Sequence, residues 1–204
     1  MWKRKSLIGA GALMVLAIST GCSASNEPEH PAGHTSSSSA AAAPTSAAAE
    51  AHNDADVMFA QHMIPHHQQA IEMSDMLLGK QGIDPRVVQL ANQIKAAQGP
   101  EIQQMQGWLT EWGTPATPPM SGHDMPSMQG MMSDADMTAL QNAQAVEASK
   151  LFLTQMIAHH EGAITMAQTE IKDGQYPPAV ELAHAIATTQ QQEIDTMKSI
   201  LATL

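Results

Sequence analysis

Residues 59–73 read FAQHMIPHHQQAIEM, and residues 152–166 read FLTQMIAHHEGAITM. The two stretches share eight residues in the same order, and each shared residue recurs 93 positions later. Their apolar residues are three and four positions apart, which is the period of a helix with one buried face. The chain therefore contains an internal repeat, and each copy is predicted to begin with an amphipathic helix.

A second pair of segments follows the first pair with an offset of 92 residues. Residues 85–109 and 177–201 both begin with proline and continue with apolar residues at helical spacing. Glycine, aspartate and proline between the paired segments predict short turns. Because short turns make neighbouring helices antiparallel, each copy is a helical hairpin, and the two hairpins predict an all-α four-helix bundle.

This domain is predicted to cover residues 54–204, in halves 54–113 and 133–204 that are joined by a crossover loop at 114–132. Proline and glycine in the loop exclude a helix there. Pro65 lies inside the first helix, where it removes a backbone donor and predicts a kink.

The second half is predicted to open with one long helix. Ser133 or Asp134 supplies the N-cap, and the helix is expected to continue to about Lys172.

The composition limits what the protein can do. Only 3% of the 204 residues are aromatic, and the formal net charge is −11. A chain this acidic repels phosphate backbones, so nucleic acid is not an expected partner. The single cysteine excludes disulfide frameworks and cysteine-based zinc sites. Methionine and histidine, at 16 and 10 residues, are the unusual components.

The N-terminus has the layout of a bacterial export signal, with basic residues before a short apolar run. Ser-Thr-Gly-Cys at 19–22 resembles a lipobox, although a serine stands where an aliphatic residue is usual. We expect residues 1–21 to be removed, Cys22 to be lipidated, and residues 22–53 to form a flexible tether. The expected location is the outer face of the cytoplasmic membrane or the cell envelope, with secretion if the lipobox is not used.

Each repeat carries a methionine, two adjacent histidines and a second methionine. Met63 precedes His66 by three positions and His67 by four, which places thioether and imidazole on one helical face. A single methionine or histidine here is explained by core packing, but a core does not require the same set twice. Thioether and imidazole without thiolate favour copper, Cu(I) first and Cu(II) through the imidazoles. The predicted ligands are Met63, His66, His67, Met73, Met156, His159, His160 and Met166.

Further candidate ligands lie beside this set. One histidine forms an i, i+4 imidazole pair with His66, and the crossover loop is rich in methionine although it has no core to fill. We interpret the loop as additional weak capture of Cu(I), with a solvated methionine cluster without function as the alternative. The accessory candidates are His62, Met120, His123, Met125, Met128, Met131 and Met132.

Two glutamates recur in the second helix of each half. Glu101 and Glu193 either orient a ligand imidazole or only hydrogen-bond across helices. The sequence leaves both roles open.

Together the motifs F-x-x-x-M-I-x-H-H-x-x-A-I-x-M and L-A-x-x-I-x-x-x-Q-x-x-E-I-x-x-M resemble those of the bacterial family known as domain of unknown function 305, over about residues 54–204. The resemblance implies a ferritin-like helical bundle. It also implies copper binding by an exported protein, and copper tolerance through sequestration or trafficking, with the eight predicted ligands on the matching positions.

Two other functions are kept beside copper binding. A ferritin-like di-iron oxidase needs two Glu-x-x-His pairs, yet the predicted helices carry only Glu181 with His184, while Gln89 and Asn92 occupy the matching positions. The chain is therefore not expected to be an enzyme. The other alternative is a structural or partner-binding envelope lipoprotein with buried histidines that bind no metal and a protein partner that the sequence does not identify.

Overall fold

The computed structural model of the chain describes residues 51–116 and 129–204. These ranges contain five helices and no strand. The helices are α1 (Asp54–Leu78), α2 (Pro85–Glu111), α3 (Asp134–Asn142), α4 (Ala145–Asp173) and α5 (Pro177–Leu201). The all-α prediction is confirmed, and the four long helices pair as the two predicted hairpins, α1 with α2 and α4 with α5.

Local sequence explains where these helices begin. Asn53 caps α1 by accepting hydrogen bonds from the amides of Ala55 and Asp56, and the Asp56 carboxylate accepts the Asn53 amide in return. This reciprocal pair is a capping box. Proline occupies the first turn of both α2 and α5, where its missing donor has no helical partner to lose.

The prediction of one long helix from Ser133 to Lys172 was wrong. Ser133 caps α3 as expected, but the helix stops at Asn142, and α4 starts after extended residues Ala143 and Gln144. Ala145 has φ 49°, a left-handed conformation that side chains other than glycine rarely adopt. The break lets α3 contact α1 as well as α4 and places Leu140 in the core, fully buried.

The hairpins meet chiefly through α1 and α4, which run antiparallel. Two apolar clusters define the direction. In the first, the C-terminal half of α1 (Met73, Leu77) packs with the N-terminal half of α4 (Phe152, Met156). In the second, the N-terminal half of α1 packs with the C-terminal half of α4, as Met63 and Ala163 illustrate. The middle of both helices is left between the clusters.

Helix α1 continues through Pro65, so the proline does not end the helix, and the kink stays a prediction. Pro100 lies within α2 in the same way.

An aromatic group covers one end of the second apolar cluster. Trp108 and Trp112 stack at 6.2 Å, Tyr176 meets both edge-on, and the His52 ring stacks on Trp112 at 4.5 Å. The tryptophans thus cap the bundle.

Within the described ranges, no helix combines the length and apolarity that a membrane span requires. The signal peptide, Cys22 and most of the tether lie outside those ranges, as do Met120, His123, Met125 and Met128.

Candidate metal centre

Four histidines lie in the region between the two apolar clusters, where α1 packs against α4. His66 and His67 come from α1, His159 and His160 come from α4, and none of the four is exposed to solvent. The rings of His66 and His159 have centroids only 3.7 Å apart. The two halves of the chain therefore share one group, here called the four-histidine cluster.

A glutamate from the second helix of each hairpin holds one histidine of the cluster. The Nε2 atom of His67 is 2.8 Å from Oε2 of Glu101, and Nε2 of His160 is 2.7 Å from Oε2 of Glu193. A carboxylate oxygen only accepts, so each Nε2 donates, and each Nδ1 lies on the other side of the ring from its glutamate. Carboxylates orient metal-binding imidazoles in this way. Both glutamates hydrogen-bond a histidine across helices, and the contact is compatible with each of the two roles considered for them.

The backbone orients a third histidine. Nε2 of His66 lies 3.1 Å from the carbonyl oxygen of Gln129, and because a carbonyl cannot donate, Nε2 donates and Nδ1 keeps its lone pair. The Nδ1 atoms of His66, His67 and His160 and both ring nitrogens of His159 have no hydrogen-bond partner in the described ranges. Each buried atom left unpaired costs about 1–3 kcal/mol. Buried imidazole nitrogens that have no hydrogen-bond partner fit a metal ion as their partner.

Burial sets the charge state of two histidines of the cluster, His66 and His159. It lowers the pKa of His66 to about 3, with a further contribution from neighbouring His67, against the hydrogen bond to Gln129. Burial, then the charges of His66 and the other two histidines, lower the pKa of His159 well below its usual range. Both rings are therefore neutral at pH 7, which is the form that binds metal.

The predicted methionine ligands fall at two distances from the cluster. Met63 and Met156 are fully buried and lie three positions before His66 and His159, less than one turn away. Met73 and Met166 lie seven positions beyond those histidines, about 10 Å along the helix axis. Met73 is buried in the first apolar cluster, whereas Met166 is half-buried against the second and lines a surface pocket that none of the four histidines lines.

The end of the crossover loop is fastened over the cluster. Gln69 of α1 donates to the Met132 carbonyl at 2.9 Å and accepts the Met132 amide at 2.7 Å. On α4, a Cβ at Gly162 would lie 1.8 Å from the Gln129 carbonyl oxygen, so only glycine admits the loop there. Met131 and Met132, both half-buried, are the two loop methionines that the structure describes.

Two features were not found by sequence reasoning. One is the contact of the Gln129 carbonyl with His66. The sequence signal for it was Gly162, since a glycine stands there in the second half although the first half has Gln69 at the matching position. The other is a buried carboxyl pair formed by Asp56 and Glu170, in which burial and then Asp56 raise the pKa of Glu170 to about 8. Neither partner has an acidic counterpart in the other half, so the repeat pattern did not indicate the pair.

The residues considered for an oxidase point outward. Glu181 and His184 are both exposed on α5, away from the bundle interior. In the described ranges, no three side chains among histidine, cysteine, aspartate and glutamate form a ready-made metal-binding group.

Comparison with known proteins places the fold in a family. The model of the family described as domain of unknown function (DUF305) matches residues 56–201. None of the curated proteins compared with the chain matches it.

Solved structures give the same picture. A DUF305 protein from Streptomyces coelicolor, described as secreted, is 34% identical, with a TM-score of 0.67 over 73% of this chain and 91% of that one. A DUF305 fragment from Deinococcus radiodurans is also 34% identical, with a TM-score of 0.67 over 74% of this chain and 98% of that one. CopM in the Cu(I)-bound form is 31% identical, with a TM-score of 0.61 over 72% of this chain and 96% of that one. CopM is also known in Cu(II)-bound, silver-bound and apo forms.

Proposed function

This chain belongs to the DUF305 family, and from that membership and the four-histidine cluster we propose that it is an exported protein that binds copper and either sequesters the ion or passes it on. The observation that carries the proposal is the set of buried imidazoles with unpaired nitrogens at the contact between the two halves, two of which, His66 and His159, are neutral. The copper-bound and silver-bound forms of CopM support copper as the cargo.

The donor set favours Cu(I). The rings of His66, His67 and His160 are held in position by oxygen acceptors on Nε2, and their Nδ1 atoms have no hydrogen-bond partner in the described ranges. Met63 and Met156 are the thioethers closest to these histidines along the helices. Imidazole with thioether suits Cu(I), while zinc has little use for methionine. Met73 and Met166 lie about 10 Å further along the helix axes and stay predicted ligands.

The acidic surface assists capture. With a formal net charge of −11, the chain attracts cations weakly and in a way that salt screens.

We further propose that the protein is exported and anchored by a lipid on Cys22, and that it has no catalytic role. Copper binding requires nothing of the exposed Glu181 and His184 pair.

A competition titration tests the copper proposal. Cu(I) is added anaerobically to the protein in the presence of bicinchoninate, and the double variant His66→Gln/His159→Gln is compared with wild type. We expect stoichiometric uptake by wild type and about a hundredfold weaker binding by the variant, because two nitrogen donors are gone. His184→Gln is the matched control, since His184 is exposed on α5. Equal affinity of the double variant and wild type would reject the assigned ligands.

Two further measurements address localisation and chemistry. Cys22→Ser should release the mature protein from the membrane fraction of expressing cells, whereas continued retention would contradict the lipid anchor. Iron-dependent oxygen consumption by the purified protein would contradict the proposal that it is not an enzyme.

A further inference from the structure

A pocket of about 360 Å³ opens on the surface between the start of α1 and the end of α4. Its walls include Met58 and His62 from α1 and Met166 and Glu170 from α4. The four histidines of the cluster do not line it. The pocket is thus a separate place where thioether, imidazole and carboxyl groups from the two halves meet.

The donors in this pocket are available to a ligand. Met58 is 53% exposed and so does not serve as core filling. His62, one helical turn later, forms no hydrogen bond or ion pair with any residue in 51–116 or 129–204. Burial lowers the pKa of His62, so its ring is neutral at pH 7. Met166 faces them from α4 and is half-buried.

A buried acid lies at the inner side of the pocket. Glu170 is only 1% exposed and pairs with Asp56, which accepts the backbone amides of Gln175 and Tyr176. With the pKa of Glu170 raised by burial and by Asp56, the pair holds one proton and one negative charge at neutral pH. Among the residues that the structure describes, no lysine or arginine lines the pocket, and the Asp173 carboxylate at its rim is 3.4 Å from Nζ of the exposed Lys172. The local charge therefore favours a cation.

The internal repeat provides a comparison within the molecule. Met58 and His62 of the first half correspond to Leu151 and Gln155 of the second half. Glu170 of the second half corresponds to Leu77 of the first. Leu77 is buried in the first apolar cluster and Leu151 packs against it. Met166 is matched by Met73. The two halves therefore differ at this place: a thioether and an acid stand where the repeat has leucines, and an imidazole stands where it has a glutamine amide, which ordinary packing does not require.

We infer that the pocket is a second Cu(I) site, in which His62, Met58 and Met166 supply one nitrogen and two sulfur ligands to an ion arriving from solvent. His62 lies about 6 Å along the α1 axis from His66, so the second site is one turn from the buried cluster. The inference depends on the proposed function only for the identity of the cargo.

Silver provides a diamagnetic probe of these ligands. Protein labelled with [¹³C]methyl-methionine is titrated with Ag(I), and methyl signals are assigned with single Met→Leu variants. We expect the Met58 and Met166 methyl signals to shift and saturate together in wild type and in His66→Gln/His159→Gln. Met137, which packs against the first apolar cluster, is the internal control and should not move. Shifts of Met63 and Met156 report the four-histidine cluster separately.

The variant His62→Gln decides the outcome. Glutamine occupies the equivalent position of the other half, so the substitution is compatible with the helix. We expect it to weaken the Ag(I) response of Met58 and Met166 by about tenfold or more. Unshifted Met58 and Met166 signals, or shifts that His62→Gln leaves unchanged, would overturn the second site. If Met58 and Met166 respond while Met63 and Met156 do not, the second site stands and the cluster assignment fails.

Discussion

The imidazole rings of His66 and His159 lie with their centroids 3.7 Å apart, although 93 positions separate them in the chain. Each occupies the same place in its own half, so the contact brings together equivalent residues of the repeat. A site at this contact belongs to neither half alone. Four predictions follow from the groups around it and from the ends of the bundle.

Removing the carboxylates that orient His67 and His160 should weaken copper binding without unfolding the protein. In Glu101→Gln/Glu193→Gln the side-chain amide can donate its NH₂ group to Nε2 of the histidine. A proton on Nε2 is then no longer favoured, and neither is a lone pair on Nδ1 that could bind metal. We expect Cu(I) affinity to fall about 10–100-fold in the bicinchoninate competition. Glu111→Gln, at an exposed position of α2, is the control. Unchanged affinity in the double variant would show that the glutamates only join helices.

Gly162→Ala should displace the end of the crossover loop. The new Cβ would meet the Gln129 carbonyl oxygen at 1.8 Å, so the loop must move and His66 loses its acceptor. We expect the free energy of urea unfolding to fall by about 1–3 kcal/mol. Gly107→Ala is the matched control, because nothing lies within 4 Å of a Cβ there. It should stabilise α2 by about 0.5–1 kcal/mol. Equal effects of the two substitutions would contradict the contact.

The metal-free protein should lose stability in mild acid. The pKa of His66 is lowered to about 3 from an ordinary 6.5, chiefly by burial, so between these values the unfolded chain binds a proton that the folded chain refuses. Stability is therefore retained above pH 6.5 and falls as the pH drops toward 3, by at most about 1.4 kcal/mol per pH unit for one such group. Urea unfolding of wild type and His66→Gln at pH 7.5 and 5 measures the difference. The difference in stability between them should depend on pH, and a constant difference would refute the buried neutral ring.

Glu170 should produce the opposite pH dependence. Burial and Asp56 raise its pKa from 4.5 to about 8, so between these values the folded protein holds a proton that the unfolded chain releases. Stability from this group is present below pH 4.5 and is lost as the pH rises to about 8. Glu170→Gln keeps a donor for Asp56 without titrating. The free energy of unfolding of the variant and of wild type is measured at pH 6 and at pH 8.5. The variant should be more stable relative to wild type at pH 8.5 than at pH 6. An unchanged difference between the two proteins would contradict the shared proton.

Much of the fold could be predicted because its determinants are local. The 3.6-residue period and the proline at the start of α2 and α5 each depend on residues close together in sequence. The break between α3 and α4 could not be predicted, since Ala143, Gln144 and Ala145 include neither glycine nor proline. It arises where α3 packs on α1, a contact that local spacing does not encode.

The sequence by itself determined which residues are the candidate donors, because the same methionine and histidine positions occur in both halves and helical spacing places them near one another. Only the tertiary structure decided how those donors are grouped. Packing of α1 against α4 joined His66 with His159, and the loop brought the Gln129 carbonyl to His66. The same packing placed Met166 in a pocket with His62. Helical spacing relates residues within one helix, whereas these groupings depend on how separate helices and a loop pack, which the period of the sequence does not specify.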